Sequence, residues 1–438
     1  MPEPADVPSA QDEVVDLCRD LIRIDSSNYG DGSGPGERAA AEYVAEKLAE
    51  VGLESTVLES EDRRTSVVVR LEGEDTSRPG LLLHGHLDVV PAEAGDWAHD
   101  PFGGELVDDC VWGRGAVDMK DMDAMILALV RQMRREGRKP PRDLVVGFLA
   151  DEEAGGRKGA HWLVDNHADL FEGVSEAISE VGGFSYTIGD QRIYAIETAQ
   201  KGIQWLRLVA KGRAGHGSMV NDDNAVTALA EAVARIGRHE WPVRMTPTVQ
   251  RFLEGMGDAF GFEVDINDPE PALSKLGSLS RIVGATLRNT ANPTMLRAGY
   301  KHNVVPQSAE AYVDCRFLPG YEEELLATID ELIGPDVQRE SVIEDIAYET
   351  TLDGKLVDAM LAALQAEDPG SKVVPYCLSG GTDQKSFSLL GIRGFGFSPL
   401  RLPADLDFSG MFHGVDERVP VDALKFGVRV LDRFLRTS

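Results

Sequence analysis

The chain has 438 residues, 42% of them apolar and 7% aromatic, and carries a formal charge of −30. That length exceeds one ordinary core and predicts two or three domains, and no apolar run approaches the roughly 18 residues that span a bilayer. The negative charge is spread along the chain. It describes a well-solvated surface and argues against a nucleic-acid or anionic-membrane surface, which needs concentrated positive charge.

The first stretch, MPEPADVPSAQDEVVD, is acidic and polar, without the basic start and apolar core of a secretory signal, so a cytoplasmic location is expected. YGDGSGPGE, residues 29–37, lacks the GKS/T ending of a phosphate loop and reads as a flexible loop. AAEYVAEKLAEVGLE puts Val44, Leu48 and Val51 on one helical face, with Gly52 as its stop. SVVVRLEG and LLLHGHL are short β-rich runs. MKDMDAMILALVRQMRREG repeats apolar residues at Met122, Met125, Ile126, Leu129 and Met133, a helical stripe that ends near Gly137. DLVVGFLA returns to strand, and its near-continuous apolar character suits a sheet covered on both faces. From about 199 the texture changes. GIQWLRLVAKG and AEAYVDCRF read as strands and VTALAEAVARIG and YEEELLATIDELI as amphipathic helices, enough for a separate α+β unit over 199–348. From 349 the α/β pattern resumes, and DALKFGVRVLDRFL closes it with Leu424, Val428, Leu431 and Leu435 on one face. Cys18, Cys110, Cys315 and Cys377 lie far apart with no CxxC pair, so they suggest neither a zinc knuckle nor a disulfide framework.

Acids and histidines stand at the ends of the strand-like runs: His86 and Asp88 in LLLHGHLD, Asp118 after WGRGAV, Glu152 and Glu153 in FLADEE, Glu180 in AISE, and His413 in MFHGVDE. Residues i and i+2 share a strand face, so the Asp88 carboxylate can hold His86 in the tautomer that offers a lone pair to a metal. Taken alone, this HxD is more often a hydrogen-bonded histidine near a strand end, Asp118 serves equally as a helix cap, and Glu180 fits a solvated turn. Three acids after a buried strand are costly unless something positive sits there or the turn is exposed. Jointly, two divalent ions are neutralised by Asp118, Glu153, Glu180 and one bridging hydroxide, with His86 and His413 neutral. Asp118 would bridge the ions, and Glu152 would take the proton of the water and hand it to a leaving amine. His413 lies in the last segment, so closing such a site requires 349–438 to return to 1–198, with 199–348 as an insertion. LSGGTD, residues 378–383, is a tight turn whose amides can meet a substrate; HExxH, GxSxG and internal repeats are absent.

In this order the residues resemble the dizinc metallopeptidase family of acetylornithine deacetylase, succinyl-diaminopimelate desuccinylase, aminoacylase, carnosinase-like dipeptidases and glutamate carboxypeptidase, over nearly the whole chain. The resemblance implies an α/β, three-layer zinc-peptidase catalytic domain with an inserted α+β lid that often carries a dimer interface. It makes His86, Asp118, Glu153, Glu180 and His413 the metal ligands, Asp88 their supporting partner and Glu152 the base. It sets His216 of KGRAGHGSM near the oxyanion, and gives Asn303, Arg316, Gly380, Gly381 and Thr382 to the substrate, although alone His216 fits a loop and Arg316 a structural ion pair. The implied cofactors are two divalent ions, zinc first, with cobalt or manganese as alternatives. The implied reaction is hydrolysis of an N-acyl amino acid or small peptide with a free carboxylate; the alternatives are a dipeptidase or carboxypeptidase with the same site, and a metal- or ligand-binding relative without catalysis. Where deacylases have Glu and dipeptidases Asp at the fourth ligand, Glu180 leans toward the deacylases. Two departures stand out. Asp121 replaces a glycine common among relatives, and the stretch from His216 to Asn303 is long, with an extra helix predicted at TPTVQRFLEGM.

Overall fold

The computed structural model describes residues 8–266, 268–275 and 283–438. It divides into two compact units, one formed by Met1–Glu197, Leu352–Val374 and Thr382–Ser438, the other by Thr198–Thr351 and Pro375–Gly381. Grouping of the short 375–381 segment with the second unit has no counterpart in local composition.

In the first unit the apolar runs become strands buried on both faces. Val67, Val69, Leu81, Leu83, Val146 and Phe148 enter a core shared with the helices Ala10–Arg23, Lys120–Arg135 and Val421–Leu435. The alternate residues Val68, Leu82, Val145 and Leu149 enter a second core with Leu163 and Phe387 from the helices Ala160–Asn166 and Gln384–Ser388. The result is three layers, helix, sheet and helix, in which period-two side chains feed both faces. The helix Lys120–Arg135 is buried along nearly its whole length, with Asp121 and Asp123 in its first turn and Arg134 and Arg135 in its last, an arrangement that complements the helix dipole.

The strand order through this unit is Thr56–Glu61, Arg64–Leu71, Leu144–Leu149, Gly80–His86, Val174–Ser179, Arg393–Gly396 and Gln191–Gln200. The four middle members from Leu144–Leu149 to Arg393–Gly396 run parallel. Gly80–His86 lies between Leu144–Leu149 and Val174–Ser179, so the chain leaves it to one side and later returns on the other. Crevices at the carboxyl ends of strands at such a switch point are where open α/β sheets bind ligands.

The second unit is an antiparallel sheet ordered Thr290–Ala298, Ser308–Phe317, Gly202–Lys211, Val337–Asp345. Leu206, Leu208, Ala311, Val313 and Cys315 on one face pack against Leu229 and Ile236 of the helix Ala225–Arg238 and Leu325 and Ile329 of the helix Glu322–Ile333. The helix Pro247–Phe260 starts after Thr246, whose hydroxyl accepts from the Val249 amide. Segment 29–37, expected to be flexible, has exposed residues at its tip but a fixed end, because Glu37 is fully buried and pairs with Arg64 at 2.5 Å. All four cysteines are free, three buried and Cys110 partly exposed. Among the described residues no helix is long and apolar enough to cross a membrane.

Candidate metal centre

The carboxyl ends of three adjacent parallel strands supply the first members of the site. His86 ends Gly80–His86 and is buried. Its Nδ1 lies 2.9 Å from the main-chain oxygen of Asp88, which fixes the proton there and turns Nε2 outward. The Asp88 carboxylate is farther off, with Oδ1 at 3.6 Å, so the carbonyl is the nearer partner of the ring. Glu180 follows Val174–Ser179, and Val181 after it is held at φ 52°, an unusual conformation for a β-branched residue. Gly182 is required next, since a Cβ there would meet the Gly396 oxygen at 2.3 Å and the Glu197 nitrogen at 2.7 Å. Glu152 and Glu153 open a single 3-10 turn after Leu144–Leu149, and Asp151 before them is left-handed at φ 68°.

Asp118 and His413 come from longer connections. Asp118 precedes the helix Lys120–Arg135 through a cis peptide to Met119. The loop before it is clasped by Glu417, which is fully buried, accepts from the Gly115 amide at 2.7 Å and pairs with Arg114. Glu417 lies four residues after His413, so one carboxylate ties the Asp118 loop to the His413 turn. His413 itself is left-handed at φ 57°. Backbone strain of this kind concentrates where surrounding structure holds a residue for a purpose.

Two trios of donor atoms result, His86 with Asp118 and Glu180, and Asp118 with Glu153 and His413; within each, the atoms lie within 4.8 Å of one another. Asp118 belongs to both. Its Oδ1 is 3.0 Å from His86 Nε2 and its Oδ2 is 3.2 Å from His413 Nε2. Glu180 Oε2 lies 3.5 Å from His86 Nε2, and Glu153 Oε2 lies 3.0 Å from His413 Nε2. Glu152 belongs to neither trio, and its Oε2 faces His86 Nε2 at 3.9 Å.

The donors fit a pair of divalent ions. Glu153 Oε1 is buried without a hydrogen-bond partner. Burial and the charge of Glu180 push the Glu152 carboxyl well above its ordinary range, and burial and Asp118 push Glu153 upward. Glu180 is raised to about 7 by burial, against the pull of His86 and with the push of Asp118. His413 is raised to about 10 by its hydrogen bonds to Asp118 and Glu153. Protons are thus the only positive charge these side chains bring to the cluster, and oxygen donors mixed with imidazole suit a zinc-class cation in their place.

The other residues singled out in the sequence are distributed as follows. His216 and Asn303 lie in the second unit at the paired segments Gly215–His216 and Val304–Val305, where the Gly217 amide donates to the Asn303 oxygen at 2.9 Å and His216 Nδ1 meets Ser218 Oγ at 2.8 Å. Arg316 forks onto Asp314 of its own strand, at 2.7 and 3.2 Å, the structural ion pair that was its alternative reading. Gly380 and Gly381 follow the strand Lys372–Leu378, and Thr382 is buried ahead of Gln384–Ser388. Asp121 is buried with Oδ1 unpartnered.

Sequence reasoning missed several buried polar residues at the site. Asn28, Glu37, Arg64 and Glu417 are all buried and linked to the ligand-bearing turns, as is Asp151, which the sequence marked only as the first of three acids after a strand. Asp383 is buried, with its Oδ1 against Gly156 just beyond the Glu152 turn. The signal available was weak: an acid ending the Gly-rich run, and an acid four residues after His413.

A three-layer α/β unit whose parallel strand ends and neighbouring connections converge two imidazoles and several carboxylates defines a metallohydrolase class. The profile of Peptidase family M20/M25/M40 matches residues 82–437, and the chain belongs to that family, whose members include a dinuclear metal-binding peptidase. It is 27% identical to the N-fatty-acyl-amino acid synthase/hydrolase PM20D1 of Xenopus tropicalis, over 97% of this chain and 86% of that protein. It is 26% identical to Aminoacylase-1 of Sus scrofa, over 96% of this chain and 94% of that one. In fold it resembles the M20 family metallo-carboxypeptidase Sso-CP2 of Sulfolobus solfataricus, with a TM-score of 0.73 at 18% identity, covering 97% of this chain and 99% of the other. The chain is therefore a hydrolase of amide or peptide bonds.

Proposed function

We propose that the chain hydrolyses the amide bond of an N-acyl amino acid or small peptide bearing a free carboxylate, with Glu152 as general base. The observation that carries this reading is the position of Glu152, whose side chain is 14% exposed, shares a turn with Glu153 and reaches toward His86 while standing outside both donor trios. The relatives named for N-acyl amino acids support that substrate class. His86, Asp118 and Glu180 would hold one ion, and Asp118, Glu153 and His413 the other, with zinc favoured by the donor set and cobalt or manganese as alternatives.

When bound, the ions supply Lewis acidity to the scissile carbonyl and lower the pKa of water. The chain moves the proton. As the water oxygen bonds to the acyl carbon, Glu152 accepts a proton from it, and as the C–N bond breaks Glu152 delivers that proton to the amine nitrogen.

Glu152→Gln is expected to keep two ions per chain while kcat falls about 10²- to 10⁴-fold. Full turnover in this variant would remove Glu152 from the role. A parallel assay of N-acetyl and long-chain N-acyl amino acids against dipeptides decides the substrate class; exclusive turnover of dipeptides would remove N-acyl amino acids from this reading and leave a dipeptidase or carboxypeptidase with the same site.

A further inference from the structure

The turn that carries Glu152 is held from behind by a buried polar array. Asp88 accepts from the Glu152 amide on Oδ1 and from the Glu153 amide on Oδ2, each at 3.1 Å. Its Oδ2 also accepts from Asn28 Nδ2 at 2.9 Å. The same Asn28 nitrogen donates to Asp151 Oδ1 at 3.2 Å, while Asp151 Oδ2 accepts from the Lys158 amide at 2.9 Å. Behind them Arg64 Nη2 donates to Asn28 Oδ1 at 2.9 Å, and the guanidinium is paired with Glu37. Asn28, Glu37, Arg64, Asp88 and Asp151 are all buried residues.

The charge count explains why Asn28 matters. Asp88, Asp151 and Glu37 bring three carboxylates to a dry region, and Arg64 is the cation paired with Glu37. One amide group bridges Asp88 and Asp151, whose charges would otherwise repel across a low-dielectric gap. Its own orientation is fixed by Arg64 and by the Gly30 amide, which donates to Asn28 Oδ1 at 3.0 Å. The turn needs this support because Asp151 is left-handed and the segment after the strand is a single 3-10 turn.

We propose that Asn28, oriented by Arg64, is a positioning residue for the general base: it fixes the Asp88 carboxylate, and Asp88 in turn fixes the amides of Glu152 and Glu153. This rests on Glu152 being the base. The side-chain hydrogen bonds of Asn28 run to Asp88, Asp151, Arg64 and Gly30 rather than to the donor trios or the Glu152 carboxylate, so its effect is on orientation rather than on proton transfer or ligation.

The test uses the zinc-loaded full chain, the best substrate from the N-acyl and dipeptide assay, and Glu152→Gln as a reference. Asn28→Ala is expected to lower kcat about 10- to 100-fold, as loss of supporting partners commonly does, with KM within about twofold and two zinc ions retained. In the metal-free protein, hydrogen–deuterium exchange of the peptide covering residues 150–158 should accelerate while the Gly80–His86 strand keeps its protection. Asn28→Ser keeps one donor and should recover part of kcat; it reads the same quantities if the alanine variant does not fold. Wild-type kcat and unchanged exchange in both variants, with Glu152→Gln inactive, overturn the positioning role. So does a loss of kcat that is matched by loss of zinc. An active Glu152→Gln overturns the assignment of the base instead, so the two failures are distinguishable.

Discussion

Asp118 turns its two oxygens toward different histidines, and this division makes it unlike the other ligands. Asp118→Asn weakens both donor trios, whereas His413→Ala removes one donor from one trio. After gel filtration in a buffer with a weak chelator, metal analysis should find two ions in the parent, about one in His413→Ala and neither in Asp118→Asn, an order expected from the count of donors lost. Two ions in Asp118→Asn would show that the trios do not share it. Proton linkage gives a second expectation. Glu180 rises from 4.5 to about 7 on folding, so its contribution to the metal-free fold is present while it is protonated and lost as pH climbs from 4.5 through 7. His413 rises from 6.5 to about 10, so its contribution is full below 6.5 and lost as pH rises through 10. Bound ions take the place of these protons. The gap in melting temperature between zinc-loaded and metal-free protein should therefore widen from pH 5 to pH 8; a constant or narrowing gap would count against the cluster as the metal centre.

At the scale of elements, the turns that present the ligands depend on close backbone approach. A methyl group at Gly182 meets main-chain atoms of two neighbouring strands, neither of which is a flexible side-chain end. Gly182→Ala should cost about 3 kcal/mol in chemical denaturation, while Gly95→Ala, with nothing within 4 Å of the added carbon, should stay within about 0.5 kcal/mol. Equal effects would mean that the Glu180 turn has slack. The strands and main helices were legible in the sequence because burial on both faces writes continuous apolar runs and burial on one face writes a helical stripe. His86, Glu153 and Glu180 were legible for a related reason, since charges are expensive at the ends of buried strands, whereas Asp118 and His413 sit on longer connections and stood out only jointly with them. Asn28, Glu37, Arg64 and Glu417 were not legible. Their burial depends on partners far along the chain, Asp88 and Asp151 for Asn28 and the Arg114–Gly115 loop for Glu417, and local periodicity carries no record of such pairings. The Asp88 carboxylate shows the same limit: spacing assigned it to His86, and the fold commits it chiefly to the Glu152 and Glu153 amides.

At the scale of the whole molecule, each unit has its own apolar core, and all five members of the donor trios fall in the first. Calorimetry should resolve two unfolding transitions, of which zinc raises one, because only the unit that binds the ion is stabilised by mass action. A single transition shifted as a whole by zinc would contradict separate cores. The trios also depend on the last residues to be made. The first unit joins Leu352–Val374 and Thr382–Ser438 to Met1–Glu197, and the strand that ends before Glu180 pairs with Arg393–Gly396. Because domains fold as units, the unit that bears both trios closes only when its late segments meet its early ones, so a finished place for either ion marks a polypeptide whose synthesis has passed His413.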